Sequence, residues 1–433
     1  VRARGRFLDT RPLRGSRPFR ALWIGSSASQ LGGQIATVAV LAQVWDLTGS
    51  PVGTGAIGLA TGVPMVLFGL LGGTLADTVD RRAVVRATTA GQLLAAAGLC
   101  VQAAVDNRSV LVLLALVALG AACGALGAPA RRTFPVRLLP PDQVAAGLAL
   151  TNVSFQAAML AGPALAGLII ARWDFSAAYA AQAVAVAVSA LAVTRLPSMK
   201  PGGADGATDG RRRPERGGWR IVLRRPTLWG SMATDLSATL LAMPIALFPL
   251  VNEIRFDGDP QTLGLFLSAV AVGGITAGLL SGTVTRLRRS GLVQLTAAGV
   301  WGLALAGFGL AGPLWAVLGC LAVAGAADTV SVVSRSALVQ LETPDAYRGR
   351  VSSVEHVIGV AGPELGNFRG GLLASVTSAP FALVIGGLSA TAAVAVVASA
   401  NASLRAYRTP HSAVESSPPR ADDAAPAPAT GQA

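Results

Sequence analysis

The chain has 433 residues, of which 52% are hydrophobic and 13% charged, and its formal net charge is +13. Soluble domains carry about 25% charged residues, so this composition excludes a soluble globular protein and leaves lipid as the solvent for most of the chain. The three cysteines, Cys100, Cys123 and Cys320, sit inside apolar runs without metal-type spacing, which argues for small packing residues and against a disulfide framework.

In chain order, an arginine-rich stretch (residues 1–20) precedes an apolar run near 21–45. That run is too long for the core of a signal peptide and eleven more follow, so it reads as a retained membrane helix. The others lie near 52–76, 84–105, 109–128, 144–171, 175–195, 227–251, 261–284, 291–311, 313–338, 352–376 and 380–400. Each has about 20 residues or more, enough to cross a hydrocarbon core of about 30 Å. With the N-terminus inside, nearly all Lys and Arg fall on the cytoplasmic side; only Arg108, Arg172 and Arg255 fall outside, and Arg369 lies within a run. This asymmetry predicts cytoplasmic N- and C-termini and a multi-pass protein of the cell (plasma or inner) membrane. The basic charge then orients the chain and implies no nucleic-acid partner.

The expected fold class is an all-α membrane protein with twelve transmembrane helices in two six-helix bundles. Residues 1–195 form the first bundle with its basic tail, 196–226 a Gly/Asp/Arg-rich cytoplasmic linker, 227–400 the second bundle, and 401–433 a tail rich in Pro, Ala and Ser and read as disordered. Trp219 to Arg225 could lie as a short amphipathic helix on the membrane surface. The halves repeat: Leu22-Trp23 recurs as Leu228-Trp229, and the loop Arg132 to Asp142 recurs as Arg335 to Asp345. Parallel six-helix repeats are the architecture of transporters that rock two bundles around a midplane site.

The second and third runs are joined by Gly73-Thr-Leu-Ala-Asp77-Thr-Val-Asp80-Arg81-Arg82. Gly73 allows close helix approach, Asp77 can satisfy the free N–H groups at a neighbouring helix N-terminus, and the arginines hold the turn on the cytoplasmic side. A loop that only sets topology would need the same residues. The stretch resembles the helix 2–3 loop of the major facilitator superfamily, with Thr78 and Asp80 departing from its pattern. The recurrence Gly282 to Arg289 lacks the acid. Further resemblance is carried by Leu47-Thr-Gly-Ser50, Gly162-Pro163, Arg335 to Gln340, Thr343-Pro344-Asp345, Arg348-Gly-Arg350-Val351 and Gly362-Pro-Glu-Leu-Gly366. Within the superfamily these look most like the branch of enterobactin (siderophore) and macrolide exporters. That resemblance implies helices 1, 4, 7 and 10 around a central cavity, secondary transport by alternating access, and efflux. The chain departs from drug exporters in having no arginine within 110–128, and from proton antiporters in keeping only part of the helix 5 motif, with Ala158 and Ala166 where glycines are usual. Asn367 stands where similar members often show an acid.

An ionised side chain at the bilayer centre costs about 2.5–3.5 kcal/mol on insertion scales, so Asp235, Asp328 and Glu364 must face protein or water. They are the candidates for proton coupling, against the alternative of structural hydrogen bonds. Arg335 follows Asp328 by seven residues, about 10 Å along a helix, so contact between the two is not expected. With Arg132 as its counterpart, Arg335 reads as a cytoplasmic gate residue, alongside Gly73, Asp77, Asp80, Arg81 and Arg82. Glu364 and Arg369 are about 140° apart around a helix, so each needs a partner on another element. Gln30 with Gln34, and Asn152 with Gln156, share helix faces and are candidate cavity residues or interhelical hydrogen bonds. Gly162-Pro163 and Gly362-Pro363 are candidate hinges, or simple packing kinks. His356 reads as an interfacial, solvated residue.

No phosphate-binding loop of the G-x-x-x-x-G-K-[ST] type exists and Lys200 is the only lysine, so a nucleotide engine of that type is excluded. Two histidines and no metal-type or nucleophile–base cluster argue against a membrane enzyme, and no cofactor is expected. The remaining reading is a monomeric secondary transporter whose partners are the lipid bilayer, a small-molecule substrate and protons. It would export a siderophore or another small amphipathic compound, with a multidrug or macrolide exporter as one alternative. A non-transporting membrane sensor of the same fold is the alternative of another class.

Overall fold

The computed structural model describes residues 9–198, 218–280, 289–344 and 347–408. All secondary structure among these residues is helical. The long helices are α1 (Arg17–Thr48), α2 (Pro51–Thr78), α3 (Arg81–Ala104), α4 (Val110–Leu138), α5 (Pro141–Arg172) and α6 (Phe175–Thr194). They continue as α7 (Pro226–Ala242, with a second part Phe248–Phe256), α8 (Pro260–Leu279), α9 (Ser290–Leu310), α10 (Leu314–Glu342), α11 (Arg348–Val376) and α12 (Ala379–Ala400). Ten of these, with the two parts of α7 taken as one, are long and apolar enough to cross a membrane. The exceptions are α1, diluted by Gln30 and Gln34, and α11, which carries Arg350, Glu355, Glu364 and Arg369.

The boundaries follow local chemistry. Proline opens α2, α5, α7 and α8, where its missing N–H costs nothing. Ser50 accepts from the Val52 N–H, Ser109 from Val112 and Ser378 from Phe381, each capping a helix start. Gly49 ends α1 in the left-handed region at φ 55°.

Several sequence expectations are corrected. The segment after residue 128 is not a loop: α4 runs on to Leu138 through Pro129 and Pro135. Phe134 there is fully buried against Val84, Val85 and Val193, and this packing carries the helix past its prolines. Likewise α10 extends to Glu342, so most of the recurring stretch is helical. The seventh helix is not continuous to 251. It stops at Ala242, passes through Pro244 and a short 3-10 turn (Ile245–Leu247), and resumes before Pro249. By contrast α5 and α11 run through Pro163 and Pro363 as single helices. A short helix, Gly218–Arg224, stands where the amphipathic segment was expected, with Val222 buried and Leu223 exposed. The rest of the linker (199–217), the recurrence at 282–288 and the tail from 409 lie outside the described residues.

Helices α1–α6 pack on one another, chiefly α1 on α5 and α6, α2 on α4, and α3 on α4 and α6. Helices α7–α12 do the same, through α9 on α10 and α12, α8 on α10, and α7 on α11 and α12. Close approach in lipid depends on small residues because apolar burial alone does not distinguish helix from lipid. The α8–α10 contact shows it twice: a Cβ at Gly273 would strike the Ala322 carbonyl, and one at Gly325 the Val270 carbonyl. The main contacts between the first six helices and the last six are α2 with α11 and α5 with α8, with smaller ones from α1 and α2 to α7 and from α1 to α8.

Candidate functional site

The two crossing seams meet at one end of the molecule. On α2 and α11, Gly371 lies against the Pro51 carbonyl, Gly55 against Phe368 and Gly58 against Glu364. On α5 and α8, Gly167 lies against Pro260, Gly264 against the Pro163 carbonyl, and the Ser268 hydroxyl donates to the Leu160 carbonyl at 3.0 Å. These contacts run from the turns at 49–50, 173–174 and 257–259 toward the middle of each helix and close the two seams, while beside them at this end a cleft of about 410 Å³ lies between Trp45, Asp46 and Phe175 on one side and Pro249, Glu253 and Leu263 on the other. Towards the other end a cleft of about 220 Å³ separates the same α2 and α11, with Met65 and Gly69 on one side and Ser352 and His356 on the other. Arg132 also lines this cleft, close enough for its charge to act on His356.

Behind the closed seams lies a cavity of about 410 Å³. Its wall is mostly aliphatic, with polar contributions from Gln92 on α3, Gln182 on α6, Thr61 on α2, and Glu364 and Asn367 on α11. The Glu364 carboxyl lies beside the Thr61 hydroxyl and the Asn367 amide. None of Gln30, Gln34, Asn152 and Gln156 lines this cavity. Gln34 instead packs its Cβ over Gly162, joining α1 to α5 beside Pro163, while Asn152 is exposed. Gly362 faces Thr239 of α7. The cavity glutamines, Gln92 and Gln182, were missed because neither has a second amide one turn away, the pattern that marked Gln30 with Gln34 and Asn152 with Gln156.

The break in α7 forms part of the cavity wall through Ile245 and Ala246, and neighbouring helices hold four of the backbone groups around it. The Ala246 N–H donates to Asn367 Oδ1 at 3.2 Å, and the Thr54 hydroxyl donates to the Ala246 carbonyl at 2.7 Å. Arg369 donates to the Leu240 and Leu241 carbonyls at the end of the first part of α7, where free carbonyls favour a cation. Proline 244 thus creates orphan groups that α2 and α11 satisfy from opposite sides. Asn367→Leu is expected to leave the buried Ala246 N–H without an acceptor, at a cost of about 1–3 kcal/mol in chemical denaturation of the solubilised protein.

A second polar centre lies within the last six helices. Arg335 of α10, only 8% exposed, forms an ion pair with Asp235 of α7, and its Nε lies 3.5 Å from Glu355 of α11. The Ser336 hydroxyl donates to Glu355 at 3.3 Å. Asp328, about two turns earlier on α10, feels the charges of both Asp235 and Arg335. Sequence spacing separated Arg335 from Asp328 and left it without a partner; the fold supplies one from α7. Its repeat counterpart Arg132 is exposed, so the sequence repeat does not carry over to the environment.

Among the first six helices the internal cation is Arg131, placed inside α4 by the extension of that helix. Its guanidinium donates to Thr89 at 2.6 Å and to Gln92 Oε1 at 2.9 Å. The expectation that helix 4 holds no arginine rested on ending it at 128. Of the helix 2–3 motif, Asp80 caps α3 by accepting from the Arg82 N–H at 2.9 Å and also accepts from Ser198. Arg82 donates to the Thr194 carbonyl at 2.7 Å, tying the start of α3 to the end of α6. Arg81 opens α3, and Gly73 and Asp77 lie in α2 at positions whose side chains fall outside the described residues.

Two sets of six helices packed together chiefly at α2–α11 and α5–α8, with a largely aliphatic cavity lined by the first set and closed by α7 and α11 of the second, define a major facilitator transporter. The nucleoside transporter NupG has the same fold, with a TM-score of 0.69 over 88% of this chain and 98% of that one at 14% identity. So has a D-xylose–proton symporter, with a TM-score of 0.67 over 88% and 96% at 12% identity. A family model described as transmembrane secretion effector matches residues 10–423, and the chain belongs to that family of secondary transporters, which are not enzymes. Among curated relatives, the enterobactin exporter EntS of Citrobacter koseri is 26% identical over 382 residues, covering 86% of this chain and 90% of its own. The enterobactin exporter EntS of Escherichia coli O139:H28 is 25% identical over the same length.

Proposed function

We propose that the protein is a proton-coupled exporter that moves a small amphipathic compound out of the cytoplasm by alternating access, the first six helices (within 1–195) rocking against the last six (227–400). The observation that carries this reading is that α2 and α11 are in close contact along one half of their length and separated by a cleft along the other. The positive-inside distribution of arginines puts the cleft on the cytoplasmic side, the side from which an exporter loads. A secretion family and relatives named as enterobactin exporters favour outward transport and bring a siderophore forward as cargo, with a macrolide or a range of lipophilic drugs as the second reading. Coupling is assigned to Asp235 and Asp328 around Arg335. A buried carboxylate that exchanges a cation for a proton changes the electrostatics between α7 and α10, the helices that must move.

The test is flux in proteoliposomes under an imposed pH gradient, comparing wild type with Asp235→Asn/Asp328→Asn on a panel of siderophores and macrolides. Gradient-driven efflux is expected from the wild type, with at least a tenfold loss in the double variant. Efflux retained in the variant removes the proton role from these acids, and an absence of flux for every compound overturns the exporter reading.

A further inference from the structure

We propose that the cavity behind the closed seams binds the ammonium group of an amphipathic amine, with Glu364 as its counter-charge. The inference rests on the exporter reading and narrows its cargo. A volume of about 410 Å³ falls within the range of small-molecule sites, about 300–1,000 Å³. Among the described residues of its wall, Glu364 alone is ionisable. Among the described residues Glu364 is in no ion pair. The arginine nearest along its own helix, Arg369, is turned away onto the Leu240 and Leu241 carbonyls. Arg131 is held by Thr89 and Gln92 and is not part of the wall.

The uncharged polar groups point the same way. The hydroxyls of Thr37 and Thr54 donate to the carbonyls of Gly33 and Ala246, so toward the cavity they offer lone pairs only. Gln182 Oε1 is buried without a donor, an unmade hydrogen bond that a ligand N–H would complete. No aromatic ring lines the cavity, so a cation here is held by carboxylate and N–H···O contacts and not by a π face. Aliphatic side chains such as Leu41, Leu99, Leu116 and Val117 supply the remainder and suit an apolar body carrying one charged head. A carboxylate enclosed in an apolar wall is costly until a cation meets it, and an anionic ligand would raise that cost.

Dansylcadaverine, a primary ammonium on an environment-sensitive fluorophore, is the probe, with its N-acetyl derivative as the neutral control and 2,3-dihydroxybenzoylserine as the anionic catecholate. Binding is measured at equilibrium on the full chain in detergent, so a failure of transport does not affect the readout. Wild type is expected to bind the amine at least tenfold more tightly than either control. Glu364→Gln should abolish that preference while leaving the acetylated probe bound within twofold, and Glu364→Asp should restore the preference. Equal binding of amine and acetylated probe by the wild type overturns the proposal, and so does tighter binding of the catecholate. An undiminished amine preference in Glu364→Gln overturns it as well. If Glu364→Gln does not fold, the wild-type preference and its retention in Glu364→Asp still decide.

Discussion

Arg335→Gln is expected to lower the stability of the solubilised protein by about 3–5 kcal/mol, the cost of removing one partner from a buried ion pair. The guanidinium is the shared cation of Asp235 on α7 and Glu355 on α11, so its loss leaves two carboxylates facing one uncharged amide in a low-dielectric interior. Asp235→Asn should cost less, about 1–3 kcal/mol, because Arg335 keeps Glu355. In Asp235→Asn/Arg335→Gln the losses should fall short of their sum, since the second change removes a charge that the first has already stranded. Arg335→Lys should rescue only part of the loss, because one ammonium cannot reach both acids as a planar fork does. Chemical denaturation of the four variants checks these expectations. Strict additivity would mean that the contact carries no coupling energy and would also weaken the case for Asp235 as a group whose charge state moves α7 against α10.

Gly371→Leu should force the closed seam open, and the effect should be felt at the other seam. A side chain at Gly371 meets the Pro51 carbonyl, and one at Gly264 meets the Pro163 carbonyl; in both cases the obstacle is backbone, which cannot turn aside. Overpacking of this kind costs about 1–3 kcal/mol, and each 1.4 kcal/mol shifts a two-state ratio about tenfold. The reporter is Ser268→Cys, a position 7% exposed on the α5–α8 seam. Gly371→Leu, on the α2–α11 seam, is expected to raise its maleimide labelling rate at least tenfold, as Gly264→Leu would beside it. If only the neighbouring wedge accelerates labelling, the two sets of six helices do not move as rigid bodies, and rocking is the wrong description of alternating access here.

Much of the protein was legible in the sequence because the relevant physics is local. Apolar runs of membrane-crossing length marked where the long helices lie, though not where several of them end. The scarcity of charge identified lipid as the solvent, and the isolated acids Asp235, Asp328 and Glu364 stood out against apolar surroundings. Tertiary structure decided what those residues do. Helix α4 continues past Pro129 and Pro135 because Phe134 is buried against α3 and α6, and only that continuation brings Arg131 to Thr89 and Gln92. The break in α7 was not anticipated within the apolar run 227–251, and it is stable because Thr54, Asn367 and Arg369 from two other helices meet backbone groups that it exposes. Arg335 finds Asp235 rather than Asp328, and Gln92 and Gln182 rather than Gln30 and Gln34 face the cavity, because partners across helices depend on helix rotation and tilt. Rotation and tilt are set by close contacts at small residues such as Gly58, Gly273 and Gly371, and those contacts leave no periodic trace in the sequence of any single helix.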